Sequence, residues 1–491
     1  MQPRPGASND RLYRPLPEKS KHTWPSRRCC RGRGHVLTCR DPLPGADGGT
    51  VKENTPQTAR ERADRPETEP SAPVSRRLKV LAVYGWREFW SMGEGSGAPS
   101  FFLSITSFPR RGHEMHVLMP GAPDAPLTED YHGVTLHRFP TTVDYMPESD
   151  SSRLVRHFRR LVTYAQWFRR ALPEGRSLAE RLSADVVFGM GELGAPVAYR
   201  IAKERGIPNV TRLFGIGMSP DGGLVNALKR ALRYRETRAL ATPADYVILC
   251  DDGSRGDVLA RRLGVDASRL LFWPNGVDKA RHMSSEPSVD VREQLGIPGT
   301  HRVLLSVSRL HPEKHIERII EAFSEVAASR GDATLVIVGS GTERESLERL
   351  ASAHGVAGRV VFAGSVDREL LPDFYKMADV FVALSDRTNV SNSLHEAMMS
   401  GLPAVVLDTG ETASVVTDGD NGVLVGVGEL KRVPAEIASL LEDDDRRLAM
   451  GARAQRSADE RLPTLEERQS MEAGAVERAV REREARRSGA L

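Results

Sequence analysis

The sequence predicts an α/β protein whose parallel β-sheets are covered by helices on both faces. Short apolar runs rich in Val alternate with amphipathic stretches of helical period, and turn residues separate them, which is the pattern of βαβ units. The chain has 491 residues, with 40% hydrophobic and 27% charged residues, and is too long for a single core. We therefore expect two domains, each built on one sheet.

The first half of the chain contains the elements of one sheet. Its strands are predicted, from Val-, Leu- and Ile-rich runs, at 77–84, 114–119, 184–188, 209–215 and 244–250. Its helices are predicted, from apolar residues at helical spacing, at 100–110, 151–172, 195–205 and 252–263. A Gly-rich loop follows the first strand and ends at Gly93-Glu-Gly-Ser-Gly97.

The second half repeats the same alternation after a polar linker at 279–300. Strands are predicted at 302–307, 333–339, 360–364, 379–384 and 404–407. Helices are predicted at 317–328, 343–354 and 464–487.

The carboxyl ends of these later strands carry the candidate site, because open parallel sheets bind ligands there. Arg309 and Lys314 lie in the loop after the first strand, and a helix opens after the fourth strand at Ser391-Asn392-Ser393. Glycines follow the second and third strands at Gly339, Gly341 and Gly364. Two cations beside glycine turns and a helix N-terminus predict a diphosphate site. Glu396, one turn into the helix, is expected to accept hydrogen bonds from ribose hydroxyls, although Ser393 and Glu396 also have the spacing of a helix capping box.

These residues resemble the donor-binding half of the family 4 glycosyltransferases, whose GT-B fold has two Rossmann-like domains facing a cleft. The family's Gly-Arg-Leu…Glu-Lys-Gly loop appears at 308–315 as Ser-Arg-Leu…Glu-Lys-His, and its Glu-Ala-Met-x-x-Gly-x-Pro run appears at 396–403. Pro-Asn-Gly-Val-Asp at 274–278 matches the family's hinge signature. The resemblance extends from about Leu78 to about Gln469.

The resemblance implies a retaining enzyme that moves a sugar from a nucleoside-diphosphate sugar to a hydroxyl of a glycan, lipid or small molecule. Arg309, Lys314 and Glu396 would be its catalytic residues. Neither a metal nor another cofactor is expected, since this fold needs no Asp-x-Asp clamp. The implied organisation is a tail at 1–76, an acceptor-side domain at 77–277, a nucleotide-sugar-binding domain at 278–460, and a terminal helix at 461–491 that crosses back to the first domain.

The sequence departs from the family in two respects. Thr388 stands where the family has the first of two glutamates, and Asp386 and Asn389 are the nearest substitutes. Phe188-Gly-Met190 and Phe214 stand where family members often carry histidines. The acceptor-side candidates that remain are Gly95, Gly97, Glu192 and Arg212.

The helix predicted at 151–172 suggests a membrane contact. Its core stripe is predicted to be Leu154, Phe158, Leu161, Ala165, Phe168 and Leu172. The opposite face would present Arg156, Arg159, Arg160, Trp167 and Arg170. This is either a solvated arginine face or a surface that docks to anionic lipid, where Arg and Trp are favoured.

Charge and composition limit the other functions. Residues 1–76 contain 15 Lys and Arg against 9 Asp and Glu, a net charge of +6. Since the whole chain carries +3, residues 77–491 carry −3, and this mildly acidic balance argues against a nucleic-acid partner. The same segment is rich in Pro, Gly, Arg and Ser and is predicted to be disordered. No run of 18 apolar residues and no secretory signal is seen, so a cytoplasmic protein is expected, and a peripheral membrane contact stays one of the two interpretations of the helix at 151–172.

Three alternatives remain open from the sequence. A sugar-nucleotide epimerase shares the architecture, and the Gly-rich loop after the first strand is also compatible with a nicotinamide dehydrogenase. The missing glutamate and histidines would fit a subunit that binds a sugar nucleotide without turnover.

Overall fold

The computed structural model describes residues 76–86, 100–143, 153–216, 234–284 and 287–489. They all fall within one of the chain's two units, Thr68–Leu491. The predicted tail and the loop glycines Gly95 and Gly97 lie outside the described residues.

The first sheet has eight strands in the order β3-β4-β2-β1-β5-β6-β7-β8, and every neighbouring pair is parallel except β3 and β4. The strands are β1 Lys79–Tyr84, β2 Glu114–Gly121, β3 Thr128–Tyr131, β4 Val134–Pro140, β5 Val186–Met190, β6 Asn209–Leu213, β7 Tyr246–Cys250 and β8 Leu270–Trp273. The helices in this part of the chain are α1 Ser100–Arg110, α2 Arg153–Leu182, α3 Gly191–Arg205, α4 Tyr234–Leu240 and α5 Gly256–Arg262.

The second sheet has six parallel strands in the order β11-β10-β9-β12-β13-β14. The strands are β9 Arg302–Val307, β10 Ala333–Val338, β11 Val360–Gly364, β12 Val380–Ala383, β13 Ala404–Leu407 and β14 Val423–Val425. The helices that follow β8 are α6 Lys279–Met283, α7 Val291–Gln294, α8 Ile316–Ser329, α9 Arg344–Ala353, α10 Leu371–Lys376, α11 Asn392–Met399, α12 Val433–Glu442, α13 Asp444–Arg461 and α14 Leu465–Ser488.

The predicted α/β fold with two parallel sheets is confirmed. Separate apolar clusters cover the two faces of each sheet, which is why the strands are apolar throughout rather than alternating. The sequence analysis missed the short strands β8 and β14, and also β3 and β4, which form a hairpin at the edge of the first sheet. Their half-exposed residues, with Glu129 and Asp130 in β3, do not form the apolar runs that revealed the other strands.

The long helix α14 packs against the first sheet. Its small side chains, among them Ala473, Val476 and Ala479, are buried in the core that covers β1, β2 and β5. Glu477 of the same helix is also buried and accepts hydrogen bonds from Arg111 at 3.0 and 2.9 Å. The chain therefore returns to the first sheet after completing the second.

The inward face of α2 matches the predicted one only in part: Leu172 is buried and Phe168 packs against the same apolar cluster, as expected. Phe158 and Leu161, assigned to the core stripe, are 67% and 40% exposed, whereas Trp167, assigned to the outer face, is completely buried. The Trp167 indole N–H donates a hydrogen bond to the backbone carbonyl of Leu193 (2.8 Å), and its ring packs against Phe139. The inward face of α2 therefore combines the later residues of the predicted stripe with Trp167, which packs against α3.

Of the four arginines assigned to the outer face of α2, Arg159 and Arg170 are exposed, while the side chains of Arg156 and Arg160 lie outside the described residues. Among the described residues, none of the helices is both long enough and apolar enough to cross a bilayer.

Candidate active site

The topology of the second sheet places the candidate site at a switch point. From β9 the chain proceeds to β10 and β11 on one side, and β12 then pairs with the other edge of β9. Loops that leave β9 and β12 therefore diverge and open a crevice between them, which is where open α/β sheets bind ligands. The predicted diphosphate loop follows β9, and α11 follows β12.

The loop after β10 lies directly against the diphosphate loop. Gly339 has φ +136°, and a Cβ atom there would lie only 1.8 Å from the carbonyl oxygen of Ser308. Ser340 accepts a backbone hydrogen bond from Leu310 (2.9 Å), and Gly339 donates one to Gly364 (2.7 Å). The glycine that ends β10 is thus required by the close approach of two loops, and Gly364 lies beside them.

Arg309 and Lys314 are brought together on the diphosphate loop but differ in their surroundings. The Arg309 guanidinium is 57% exposed and forms an ion pair with Glu313 at 2.9 Å. Lys314 is half-buried, and its ammonium forms neither a hydrogen bond nor an ion pair with any of the described residues. Burial lowers the pKa of Lys314, the charge of Glu313 raises it, and the positive charges of Arg309 and Arg387 lower it further. A bound anion would relieve this unfavourable environment.

His315 occupies the last position of the loop motif, where the family has glycine. It adopts a left-handed conformation with φ 51°, which glycine adopts without strain. Its Nδ1 lies 2.6 Å from Glu317 Oε1, and its Nε2 lies 2.9 Å from Asp386 Oδ2. These two carboxylates hold the ring in place.

The N-terminus of α11 is capped by Ser391, whose hydroxyl accepts a hydrogen bond from the backbone N–H of Leu394 (3.2 Å). The helix therefore begins at Asn392, and the capping box considered for Ser393 and Glu396 is wrong. Asn392 Oδ1 accepts a hydrogen bond from Asn275 of the hinge signature (3.0 Å). Two of the polar residues that open the helix thus have separate roles: Ser391 caps the helix and Asn392 joins the hinge.

Glu396 lies one turn into α11 and points toward α10. Its Oε2 accepts a hydrogen bond from the hydroxyl of Tyr375 (2.9 Å). Although the residue keeps some exposed surface, its carboxylate is enclosed, and this burial raises the pKa of Glu396 to about 7 against the opposing effects of the Tyr375 bond and the charge of Arg368. Sequence reasoning missed Tyr375 and Arg368, since an isolated tyrosine in an apolar helix resembles an ordinary core residue.

Thr388 does not present a polar group to an open cleft. It is 8% exposed, and its hydroxyl donates a hydrogen bond to the backbone carbonyl of Asp252, in the loop after β7 (3.1 Å). In the same region Glu411 donates a backbone hydrogen bond to Gly253 (2.9 Å), and its carboxylate lies 3.3 Å from Arg255 Nε. The part of the chain that forms the first sheet and the part that forms the second, here called the two lobes, therefore touch where the family's first glutamate would stand.

The two proposed substitutes for that glutamate have other partners. Asp386 is bonded to Arg318 and His315. Asn389 is 2% exposed, and its side-chain amide connects two backbone segments. Its Oδ1 accepts a hydrogen bond from the backbone N–H of Ser385 (2.9 Å), and its Nδ2 donates one to the backbone carbonyl of Leu407 (3.0 Å). Asp386 is thus a half-exposed carboxylate paired with two other side chains, and the replacement of the missing glutamate by either residue stays a prediction.

On the acceptor side, Arg212 is placed by α14. It is 2% exposed, its Nε donates to Glu472 Oε1 (2.8 Å), and its guanidinium lies over the ring of Phe214 at 4.3 Å. Glu472 also accepts hydrogen bonds from Ser104 and lies 2.6 Å from Arg468. Arg212 and Glu472 therefore form a buried ion pair between β6 and α14.

A small cavity next to Arg212 lies between the two lobes. It has a volume of about 30 Å³ and is lined by residues from both lobes, including Arg212, Asn275 and Asn392. Nη1 of Arg212 has no hydrogen-bond partner within the described part of the chain. A space of this size is large enough for ordered water. Glu192, the other polar candidate, lies 3.8 Å from Arg235. The acceptor roles of Glu192 and Arg212, like the donor roles assigned above, stay predictions.

Comparison with known proteins identifies the family. The family model for glycosyl transferases group 1 matches residues 289–457, and that for the glycosyl transferase 4-like domain matches residues 105–276. A GDP-mannose-dependent alpha-mannosyltransferase of Mycobacterium tuberculosis is 30% identical over 353 residues, which cover 70% of this chain and 83% of the relative. A GDP-mannose-dependent alpha-(1-6)-phosphatidylinositol monomannoside mannosyltransferase of Mycolicibacterium smegmatis is 29% identical over 366 residues, covering 72% and 88% respectively.

A solved structure supports the fold independently. Sucrose-phosphate synthase from Thermosynechococcus elongatus superposes with a TM-score of 0.62 at 18% identity, over 84% of this chain and all of that one. At this identity the likeness shows the fold and not the substrate. The switch-point site, the two family models and the relatives agree: the chain belongs to the family 4 glycosyltransferases, has the GT-B fold, and is a hexosyltransferase-type enzyme that uses nucleotide sugars.

Proposed function

We propose that this enzyme transfers mannose from GDP-mannose to an acceptor hydroxyl with retention of the anomeric configuration. The relatives named above are GDP-mannose-dependent, which favours this donor. The observation that carries the donor site is Lys314, a half-buried ammonium on the loop after β9 that lacks an ion-pair partner among the described residues. A diphosphate bound there would supply the missing counter-charge.

The proposed chemistry depends on stabilising the leaving diphosphate. As the glycosidic bond breaks, negative charge develops on the departing oxygen, where Arg309 and Lys314 would neutralise it. Backbone N–H groups in the first turn of α11, those of Asn392 and Ser393, would add the favourable field of a helix N-terminus. The acceptor oxygen attacks from the face that the diphosphate leaves, and its proton passes to the departing diphosphate. In this proposal no divalent cation is needed, which an assay with and without a chelator tests directly.

The donor assignment is tested by nucleotide-induced thermal stabilisation. A ligand at a hundred times its dissociation constant adds about 2.7 kcal/mol to the stability of the folded protein. Of GDP, UDP, ADP and NAD, we expect GDP to stabilise the wild type. It should not stabilise Lys314→Ala. The control variant Lys431→Ala, which removes an exposed lysine after β14, should be stabilised like the wild type. Equal stabilisation of both variants would refute the diphosphate site, and stabilisation by UDP alone would replace GDP-mannose by a uridine donor. NMR of the product's anomeric proton tests retention.

A lipid-linked acceptor is a second element of the proposal, favoured by the exposed part of α2. Phe158 is 67% exposed and Leu161 40%, and exposed arginines Arg159 and Arg170 lie on the same helix. Apolar and cationic side chains together suit the surface of an anionic bilayer, and the Mycolicibacterium relative named above acts on a phosphatidylinositol monomannoside. We expect the enzyme to pellet with phosphatidylglycerol vesicles and Phe158→Ser plus Arg159→Glu to lose this binding; the same pelleting by both proteins would remove the membrane from the proposal.

A further inference from the structure

Tyr375 is a buried side chain whose only polar atom is directed at the candidate donor site. The residue has no exposed surface, and its hydroxyl donates to Glu396 Oε2 at 2.9 Å. The ring is held by His282 and Phe381, whose ring centroids lie 5.5 and 6.3 Å away. The phenol therefore cannot turn away from the carboxylate without disturbing the core beneath it.

The hydrogen bond leaves the two oxygens of Glu396 in different situations. Oε2 is taken by Tyr375, whereas Oε1 accepts no hydrogen bond from any of the residues that the structure describes. The Ser393 side chain is also hydrogen-bonded to Tyr375, which connects the phenol to the first turn of α11. A carboxylate that must accept hydrogen bonds from two vicinal hydroxyls needs one fixed orientation and a negative charge.

We propose that Tyr375 is a positioning residue for the donor nucleotide: by holding Oε2 of Glu396, it directs Oε1 to the ribose hydroxyls and stabilises the charged carboxylate that binds them. The inference rests on the proposed function, in which Glu396 binds the ribose. Tyr375 itself touches neither the donor nor the reacting atoms.

The electrostatic surroundings make the hydrogen bond consequential. Burial raises the pKa of Glu396 to about 7, so the carboxylate is only partly ionised near neutral pH, and the Tyr375 bond and the charge of Arg368 both oppose this rise. His282, packed on the phenol ring from α6, has its pKa lowered by burial to about 4 and stays neutral between pH 6 and 9. The negative charge of Asp278 raises the pKa values of Arg368 and His282. Loss of the phenol hydroxyl should therefore raise the pKa of Glu396 further.

The test is the pH dependence of GDP-mannose binding, measured by calorimetry between pH 6 and 9. GDP-mannose is the suitable probe because its diphosphate is a diester and lacks the phosphomonoester ionisation near pH 6 that free GDP would add. With a Glu396 pKa of about 7, the ionised fraction rises about tenfold from pH 6 to pH 8, and wild-type affinity should rise by about the same factor.

Tyr375→Phe keeps the ring and removes only the hydroxyl. We expect it to weaken binding about tenfold at pH 7, the effect of one charged hydrogen bond, to move the midpoint of the pH profile upward, and to recover affinity at pH 9. Tyr246→Phe is the matched control, because it removes a hydroxyl that bonds to Glu482 of α14. A binding profile of Tyr375→Phe that coincides with that of Tyr246→Phe would overturn the inference.

A third variant separates this inference from the proposed function. Glu396→Gln removes the charge while keeping the shape of the side chain. If Glu396→Gln binds GDP-mannose as tightly as the wild type, the ribose assignment itself fails. If Glu396→Gln binds weakly and Tyr375→Phe does not, the ribose assignment stands and Tyr375 has only a packing role.

Discussion

The contact between the lobes at Gly253 gives the sharpest mutational prediction. Gly253 has φ +72°, and a Cβ atom there would lie 2.5 Å from Thr388 Oγ1 and 2.7 Å from Val390 Cβ. Because ordinary contacts between heavy atoms lie near 3.5–4 Å, Gly253→Ala must push the loop after β7 away from the loop after β12 by about 1 Å. The hydrogen bond from Thr388 to Asp252 then cannot keep its length of 3.1 Å.

Displacing the lobes should affect turnover more than stability. A misplacement of about 1 Å in a positioned active site can cost about 100-fold in rate, so we expect Gly253→Ala to lower kcat by about 10- to 100-fold. The left-handed backbone adds about 1–2 kcal/mol of strain, which corresponds to a fall in Tm of about 2–8 °C for a domain of this size.

Gly264→Ala is the matched control for this prediction. Gly264 also lies in the first lobe with a positive φ, +93°, but no described atom lies within 4 Å of the position its Cβ would take. The two variants should lose similar thermal stability, while Gly264→Ala keeps kcat within about threefold of the wild type. Equal turnover by Gly253→Ala and Gly264→Ala, measured as release of GDP from saturating GDP-mannose, would refute the argument that lobe contact is needed for turnover.

Two further predictions concern buried polar contacts. Glu472→Gln removes the only buried carboxylate bonded to Arg212 among the described residues and should destabilise the fold by about 3–5 kcal/mol in urea unfolding, whereas Glu466→Gln, an exposed change on the same helix, should have little effect. An equal effect of both would contradict the ion-pair assignment. Trp167→Phe leaves the Leu193 carbonyl without its indole donor and should cost about 1–3 kcal/mol without changing vesicle binding, since the indole is buried; a loss of vesicle binding at full stability would contradict its inward placement.

Strands and the diphosphate loop were predictable because both depend on local sequence. Apolar runs such as 302–307 and 333–338 form strands wherever both faces of a sheet are covered, and the motif at 308–315 fixes a loop of defined length after the first of them. The sheet order then brings that loop beside α11 without further information, because β12 pairs with β9.

Features that depend on distant partners were not predictable. The inward placement of Trp167 depends on its fit against Leu193, 26 residues away, which helical periodicity alone does not indicate. The position of Tyr375 beside Glu396 depends on how α10 packs on α11, and its sequence context is that of a core residue. Ser391 and Ser393 both precede an amphipathic run, and only the backbone geometry shows that Ser391 is the cap.

His315 and Thr388, two of the residues that depart from the family pattern, lie in one connected set of contacts. His315 replaces a glycine despite its left-handed backbone, and its ring bonds to Asp386, which lies two residues before Thr388. Thr388 replaces a glutamate and bonds to Asp252 of the opposite lobe. Side-chain hydrogen bonds therefore link the loop that carries Lys314 to the loop that meets the other lobe. Where the family pattern has a glycine and a carboxylate, this enzyme has a contact from His315 to Asp386 and a hydrogen bond from Thr388 to Asp252, so the loop after β12 contacts both the diphosphate loop and the opposite lobe.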